Sequence, residues 1–172
     1  YTINSNTKFI GNGVFNNLSN LSSITLGDGI IGIGSNAFKG TILTEITIGE
    51  NIKYIGSQAF GSITTLEVVY YNAIDTNLEE IFKGSNNISR VVIGENVEVI
   101  PNTFMKSTSS SYPLFTEIEN DSTKLTKVGS YAFYYCINLE SFDVLNVIFS
   151  GYSISGIDFN VLINEMKYNL FD

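Results

Sequence analysis

The stretch Tyr54 to Tyr71 reads YIGSQAFGSITTLEVVYY and decides the fold. It opens with an Ile-Gly-x-x-Ala-Phe phrase and closes with a Leu-x-x-Val-x-Tyr phrase. The opening phrase recurs at 33–38 and 128–133, with a looser copy at 10–15. Phenylalanines consequently fall at 15, 38, 60, 82, 104 and 133, mostly 22 or 23 residues apart. A fixed period of this size is typical of a repeat solenoid.

The closing phrase supplies one strand per repeat. Copies of Leu-x-x-ϕ-x-ϕ, in which ϕ is apolar, begin at Leu21, Leu43, Leu66, Ile88 and Leu139, and a looser copy that ends on Asn120 begins at Phe115. Apolar residues alternate within each copy, as a strand with one buried face requires. Turn residues such as Gly49-Glu50-Asn51 then leave the sheet, because Gly and Asn tolerate positive φ. The Ile-Gly-x-x-Ala-Phe segment is predicted to return on the opposite side as a short strand or helical turn.

These patterns predict a leucine-rich repeat solenoid. It would be a right-handed coil of about seven repeats of 22–23 residues, built from residues 1–145, with a parallel β-sheet on its concave face. The strands are expected near 1–3, 24–26, 46–48, 69–71, 91–93, 118–120 and 142–144. One buried aromatic stack is expected from Phe15, Phe38, Phe60, Phe104 and Phe133.

Three segments depart from the repeat. Leu78-Glu79-Glu80-Ile81 replaces the Ile-Gly phrase, so the back of that repeat is expected to be irregular. The Ser-rich segment 105–113 is interpreted as an inserted loop. In the C-terminal cap segment, 146–172, apolar residues recur at the spacing of an amphipathic helix: Phe159, Leu162, Ile163, Met166 and Leu170. This spacing predicts a capping helix over the open end of the last repeat.

Composition narrows the classes of function. The net charge of −8 argues against a nucleic-acid partner, since phosphate binding needs a basic face. No apolar run approaches 18 residues, so direct membrane insertion of this fragment is not expected. One cysteine allows no internal disulfide. The chain starts at Tyr1 without a methionine, which we interpret as a mature or trimmed fragment.

The residue chemistry predicts no catalysis, no cofactor and no metal. The sequence has no histidine, which removes the usual catalytic base and the commonest transition-metal ligand. Cys136 lacks a histidine partner, so a structural role is favoured over a nucleophilic one. Glu79 and Glu80 are adjacent on a predicted strand and would point to opposite faces, so a solvated charge pair is favoured over an acid/base pair.

Val128 to Val144 carries the fullest copy of the repeat, Ile-Gly-x-x-Ala-Phe-x-x-Cys-x-x-Leu-x-x-ϕ-x-ϕ, with Cys136 three residues after Phe133 and Leu139 three residues later. This pattern resembles the BspA-like, or Treponema pallidum-type, leucine-rich repeat family, over Tyr1 to about Leu145. The resemblance implies a secreted or cell-surface adhesion domain that binds host matrix proteins or other cell-surface proteins. A structural spacer that displays another domain is the alternative. A hydrolase that uses surface carboxylates is a third, weaker one.

The candidate partner-binding residues are those predicted to point outward from the middle of the sheet. Val68 and Tyr70 alternate on one strand, and Arg90 and Val92 alternate on the next. An aromatic ring and an arginine with apolar neighbours resemble the centre of a protein interface. An ordinary solvated sheet face is the alternative.

The two following rungs are acidic. Their outward carboxylates are Glu117, Glu119, Asp121 and Asp143. Neighbouring carboxylates repel each other unless a cation or a basic partner neutralises them, so we hypothesise a contact for a basic partner or a weak Ca²⁺ site. Asn120 points the wrong way for calcium in this register, and no metal site is assigned.

Overall fold

Short parallel strands recur throughout the described part of the chain. The computed structural model describes residues 1–74, 77–78, 80–106, 113–142 and 148–149. Its strands are β1 (Phe9–Ile10), β2 (Gly32–Ile33), β3 (Glu45–Ile48), β4 (Tyr54–Ile55), β5 (Val68–Tyr71), β6 (Asn77–Leu78), β7 (Arg90–Ile93), β8 (Val99–Ile100), β9 (Glu117–Asn120), β10 (Lys127–Val128), β11 (Ser141–Phe142) and β12 (Ile148–Phe149). No helix occurs among these residues, and hence none that could cross a membrane.

The front sheet has five parallel strands in the order β3-β5-β7-β9-β11. Its register aligns Ile46, Val69, Val91, Ile118 and Phe142 in one inward row. Each of these side chains is at most 1% exposed, because the alternation places every second residue in the core. The predicted solenoid of parallel strands is therefore confirmed.

The predicted count of seven rungs is not confirmed. Five of the predicted strands form the front sheet, and the first two meet only at an isolated bridge between Thr2 and Thr25. The predicted capping helix lies in 146–172, outside the described residues except for β12. That strand pairs with β10, so the repeat continues beyond Leu145.

The back strands form two short parallel sheets, β1-β2-β4-β6 and β8-β10-β12. The sheets separate between β6 and β8, next to the segment that lacks the Ile-Gly phrase. Three residues lie between Leu78 and Phe82, whereas four lie between Ile55 and Phe60. The shorter connection explains why the back is irregular where the sequence predicted it.

Phenylalanines stack through the first half of the core. Phe15, Phe38, Phe60 and Phe82 lie face to face, with centroids 5.1, 5.2 and 5.8 Å apart and planes within 24° of parallel. Phe82, Phe104 and Phe133 then meet edge to face, at 6.2 and 6.1 Å. Such pairs add about 0.5–1.5 kcal/mol each beyond burial. The sequence predicted one continuous stack. The structure instead has a face-to-face stack followed by edge-to-face contacts, and the stack includes Phe82, which the prediction left out.

The change of geometry comes from a one-residue shift. Met105 N donates to Ala132 O. In the first repeats the equivalent bond runs from Phe15 N to Ala37 O, so a phenylalanine is the donor there. Met105 therefore occupies the phenylalanine position of its repeat, opposite Phe133. Phe104 occupies the position that alanine takes elsewhere, and its ring contacts Tyr71 at 4.7 Å. The assignment of Phe104 to the regular stack is wrong.

Cys136 lies in the core, 1% exposed, and its thiol donates to Met105 O at 3.2 Å. Native protein should therefore not react with a thiol reagent such as Ellman's reagent, because reaction needs an accessible thiolate. The same protein in denaturant should release one equivalent of thionitrobenzoate, which provides the control. Rapid reaction without denaturant would contradict this placement.

Candidate functional site

The register of the front sheet brings the predicted partner-binding residues together. Val68 lies opposite Arg90, and Tyr70 lies opposite Val92, on the neighbouring strands β5 and β7. Val92 in turn lies opposite Glu119 of β9. We call these five residues the front patch: Val68, Tyr70, Arg90, Val92 and Glu119. Their inward neighbours Val69 and Val91 are fully buried, which fixes the outward direction of the patch.

Arg90 is the centre of the front patch. Its Nε lies 2.6 Å from Glu119 Oε1 and its Nη2 lies 2.7 Å from Glu119 Oε2, so the pair is bidentate. Its Nη1 donates to the Tyr70 hydroxyl at 3.2 Å, and the guanidinium carbon lies 5.7 Å from the Tyr70 ring centroid. Arg90, on β7, therefore positions one side chain on each of the two neighbouring strands, Tyr70 on β5 and Glu119 on β9.

Val92 is covered rather than exposed. Its side chain is 7% exposed, although the register places it on the outward face. In the register it lies between Tyr70 and Glu119, the two side chains that Arg90 joins by hydrogen bonds. The surface available to a partner is consequently made by Val68, the Tyr70 ring and the outer edge of Arg90.

Glu119 is the member of the front patch that the sequence reasoning missed. The sequence placed it in a separate acidic patch, because only directly opposite residues were paired. Arginine also reaches the diagonal neighbour on the next strand, which lies about 7–8 Å away. A search for opposite charges at diagonal positions would have found this pair.

The rest of the predicted acidic patch can be placed only in part. Glu117 and Asp121 are exposed, and Asp143 lies outside the described residues. Within the described residues, no group of three acidic, histidine or cysteine side chains is placed to hold a metal ion. Because Glu119 is already neutralised by Arg90, the repulsion that motivated the calcium hypothesis is weaker than the sequence indicated.

Glu80 shows a similar arrangement on the back of the solenoid. Its carboxylate lies 3.0 Å from Lys83 Nζ and 2.8 Å from Lys106 Nζ. The hydrogen bond from Lys106, followed by that from Lys83, lowers the pKa of Glu80 below its ordinary value. A carboxylate held between two ammonium groups stays ionised and is unsuited to exchange protons at neutral pH.

The Arg90–Glu119 pair should be visible in an acid titration. The hydrogen bonds from Arg90 hold the pKa of Glu119 below the ordinary value of 4.5. A lowered pKa means that the ionised pair stabilises the folded state above pH 4.5 and that this contribution is lost as pH falls through the lowered pKa. Both side chains are nearly half exposed, so the effect on overall stability should be small.

NMR titration of the Glu119 carboxyl carbon measures this directly. Arg90→Ala should raise the pKa of Glu119 towards its ordinary value, while Lys83→Ala, which removes a cation elsewhere, should leave it unchanged. An unaltered Glu119 titration in Arg90→Ala would show that the two side chains are not paired in solution.

A family model supports the repeat assignment. The model for the BspA type leucine rich repeat region matches the chain in six copies, over residues 1–112 and 111–172. No curated protein matches the sequence significantly.

Solved structures of leucine-rich repeat proteins also match. A leucine-rich repeat protein from Eubacterium ventriosum has 25% identity and a TM-score of 0.64, over 85% of this chain and 39% of its own. One from Bacteroides ovatus has 21% identity and a TM-score of 0.49, over 86% and 55%. A leucine rich cell surface protein from Faecalibacterium prausnitzii has 16% identity and a TM-score of 0.37, over 88% and 59%. The chain therefore spans less than two thirds of each of these proteins, between 39% and 59%.

Proposed function

Because the chain belongs to the BspA-type leucine-rich repeat family, we propose that it is a non-catalytic, protein-binding domain that acts in adhesion as part of a secreted or cell-surface protein. The observation that carries the proposal is the Tyr70 ring, held on the outward face of the front sheet by the guanidinium of Arg90. Tyrosine and arginine are the residue types most enriched at the energetic centres of protein interfaces.

The front patch is arranged before any partner arrives. Its residues stand on β5, β7 and β9, whose backbones are fixed by the parallel ladder on both sides. Arg90 makes hydrogen bonds to both flanking side chains, so little side-chain freedom remains to be lost on binding. Ordering costs of this kind reduce affinity by about 0.5–1.5 kcal/mol per mobile side chain, and the front patch avoids much of that cost.

The charges around the patch favour a basic partner. Arg90 is neutralised by Glu119, whereas Glu45 on β3 and Glu117 on β9 point outward and are exposed. A partner with an apolar group for Val68 and Tyr70, flanked by lysine or arginine, would complement this face. Host matrix proteins and other cell-surface proteins are the partners that the family resemblance implies.

The spacer alternative makes a different prediction at the level of the whole domain. The purified 172-residue chain should bind saturably to at least one member of a panel of immobilised matrix and cell-surface proteins. Binding should weaken with rising salt, because exposed carboxylates contribute to it. A chain that binds no member of such a panel, while a longer protein containing it does, would support the spacer.

A further inference from the structure

The segments 1–3 and 24–26, which we call the first and second rungs, precede β3. The front sheet is interrupted between the second rung and β3. At the end of later strands, one hydrogen bond closes each rung onto the one before: Asn72 N to Ile48 O at 2.8 Å, Gly94 N to Tyr71 O at 2.8 Å and Asp121 N to Ile93 O at 2.9 Å. The equivalent bond between Gly49 N and Leu26 O is missing. These two backbone groups, both in the described part of the chain, have no other hydrogen-bond partner.

Hydrogen bonds of the second rung show that the backbone amide and carbonyl of Leu26 point towards β3. Thr25 N donates to Tyr1 O, and Thr25 O accepts from Ile3 N, so the groups of Thr25 point to the first rung. Alternation along an extended chain then directs the amide and carbonyl of Leu26 the other way. An unpaired donor of Gly49 and an unpaired acceptor of Leu26 thus lie on opposite walls of one opening.

A cleft of about 100 Å³ occupies this opening, which we call the slit. Leu26, Ile30 and Ile52 form its apolar part, and Thr47, Gly49 and Asn51 lie on its β3 side. A side chain added at Gly49 would meet no atom within 4 Å, which confirms the open space. Since one water needs only about 10–15 Å³, the slit has room for more than a single water.

The two chain segments that flank the slit are joined on either side of it. Ile42 N donates to Leu21 O at 3.2 Å before it, and Asn51 Nδ2 donates to Asp28 O at 3.0 Å beyond it. An added strand would have to break both contacts, so only the end of a side chain or a small molecule can enter. Just beyond the slit, the primary amide of the Asn51 side chain already bridges the same two chain segments.

We propose that the slit is a binding site for a primary amide, such as the end of a glutamine or asparagine side chain of a partner. The amide oxygen would accept from Gly49 N, the amide nitrogen would donate to Leu26 O, and the aliphatic carbons would pack on Leu26, Ile30 and Ile52. A primary amide carries its acceptor and its two donors on separate atoms, unlike a hydroxyl, so it can bond both walls of the slit at once. The site is separate from the front patch, and it does not depend on the proposed function.

The same chemistry excludes the charged relatives of an amide. A carboxylate has no proton for Leu26 O and would be repelled by the exposed Asp28 and Glu50 at the mouth of the slit. An ammonium group has no acceptor for Gly49 N. The slit should therefore discriminate between three molecules of nearly equal size: propionamide, propionate and propylammonium.

Titration of ¹⁵N-labelled protein with these three molecules tests the proposal. Propionamide at millimolar concentrations should shift the Gly49 amide resonance saturably, and the Gly94 amide, which is already bonded, should not move. Propionate and propylammonium should give no saturable shift at Gly49. If Gly49 does not respond to propionamide, or responds equally to all three, the slit holds only water and the proposal is wrong.

Gly49→Val provides the second arm. The new side chain would enter open space, so the variant should fold, and it should weaken propionamide binding at least about tenfold by narrowing the slit. Retention of wild-type affinity in folded Gly49→Val would overturn the proposal. If that variant does not fold, the comparison of the three molecules on the wild-type protein still decides the question.

Discussion

Replacing Phe60 by alanine should lower the free energy of unfolding by about 3–5 kcal/mol. The Phe60 side chain is fully buried, between Phe38 at 5.2 Å and Phe82 at 5.8 Å. Both neighbours are themselves held by backbone hydrogen bonds, since Phe38 N donates to Ala59 O and Phe82 O accepts from Ser85 N. The surroundings therefore cannot collapse into the space, and the cavity term adds to the lost transfer free energy.

Equilibrium unfolding in urea measures this loss. Phe9→Ala is the matched control, because Phe9 is the same residue type on a back strand but is 69% exposed. Its effect should be within about 0.5 kcal/mol of zero. A loss below about 1 kcal/mol for Phe60→Ala would mean that the repeat register around the stack is different from the one described. Hydrogen exchange should show the loss concentrated in the repeats next to Phe60, because each repeat is stabilised only by its neighbours.

Periodicity in the sequence was sufficient to predict the strands, their parallel order and most of the core. Each Leu-x-x-ϕ-x-ϕ phrase from Leu43 onward became a strand of the front sheet, because alternating apolar residues leave one face to bury. The insertion near 105–113 did not disturb this register, and Ile118 still lies opposite Val91. Repetition made the prediction robust, since one irregular copy could be aligned on the others.

The position of Phe104 could not be predicted from the same periodicity. Phe104 comes four positions after Ile100, whereas Phe133 comes five positions after Val128, and counting from phenylalanine to phenylalanine does not show that Met105 takes the fifth position. The backbone hydrogen bond from Met105 to Ala132 decides it. Met105 fills the phenylalanine position because methionine is flexible enough to occupy an irregular space.

The candidate site was also predicted only in part, because the sequence indicates strand register but not the direction of long side chains. Register placed Tyr70 beside Arg90, and outward alternation selected both residues correctly for the exposed face. The burial of Val92 and the pairing of Arg90 with Glu119 depend on side-chain direction, which register alone does not determine. Long side chains choose among several diagonal neighbours, and only the three-dimensional arrangement shows which one is bonded.

Tyr70→Ala and Arg90→Ala should each weaken partner binding by at least about 1–2 kcal/mol while leaving the fold intact. Truncation of Tyr70 removes the half-buried, outward-facing ring that would contact an apolar group of the partner. Truncation of Arg90 removes the hydrogen bond at 3.2 Å that orients the ring, and it frees the carboxylate of Glu119. Neither change opens a cavity in the core, so thermal unfolding should remain close to that of the wild type.

The two effects should not add. Arg90 contributes partly by positioning Tyr70, so the double variant should lose less than the sum of the single losses, with a coupling of at least about 0.5 kcal/mol. Thr25→Ala is the control, because Thr25 is exposed on the same side of the solenoid but lies outside the front patch, and it should be near neutral. Wild-type affinity in both single variants would place the binding site elsewhere. Full additivity would leave Tyr70 and Arg90 as independent contacts, and the orienting role of the arginine would be wrong.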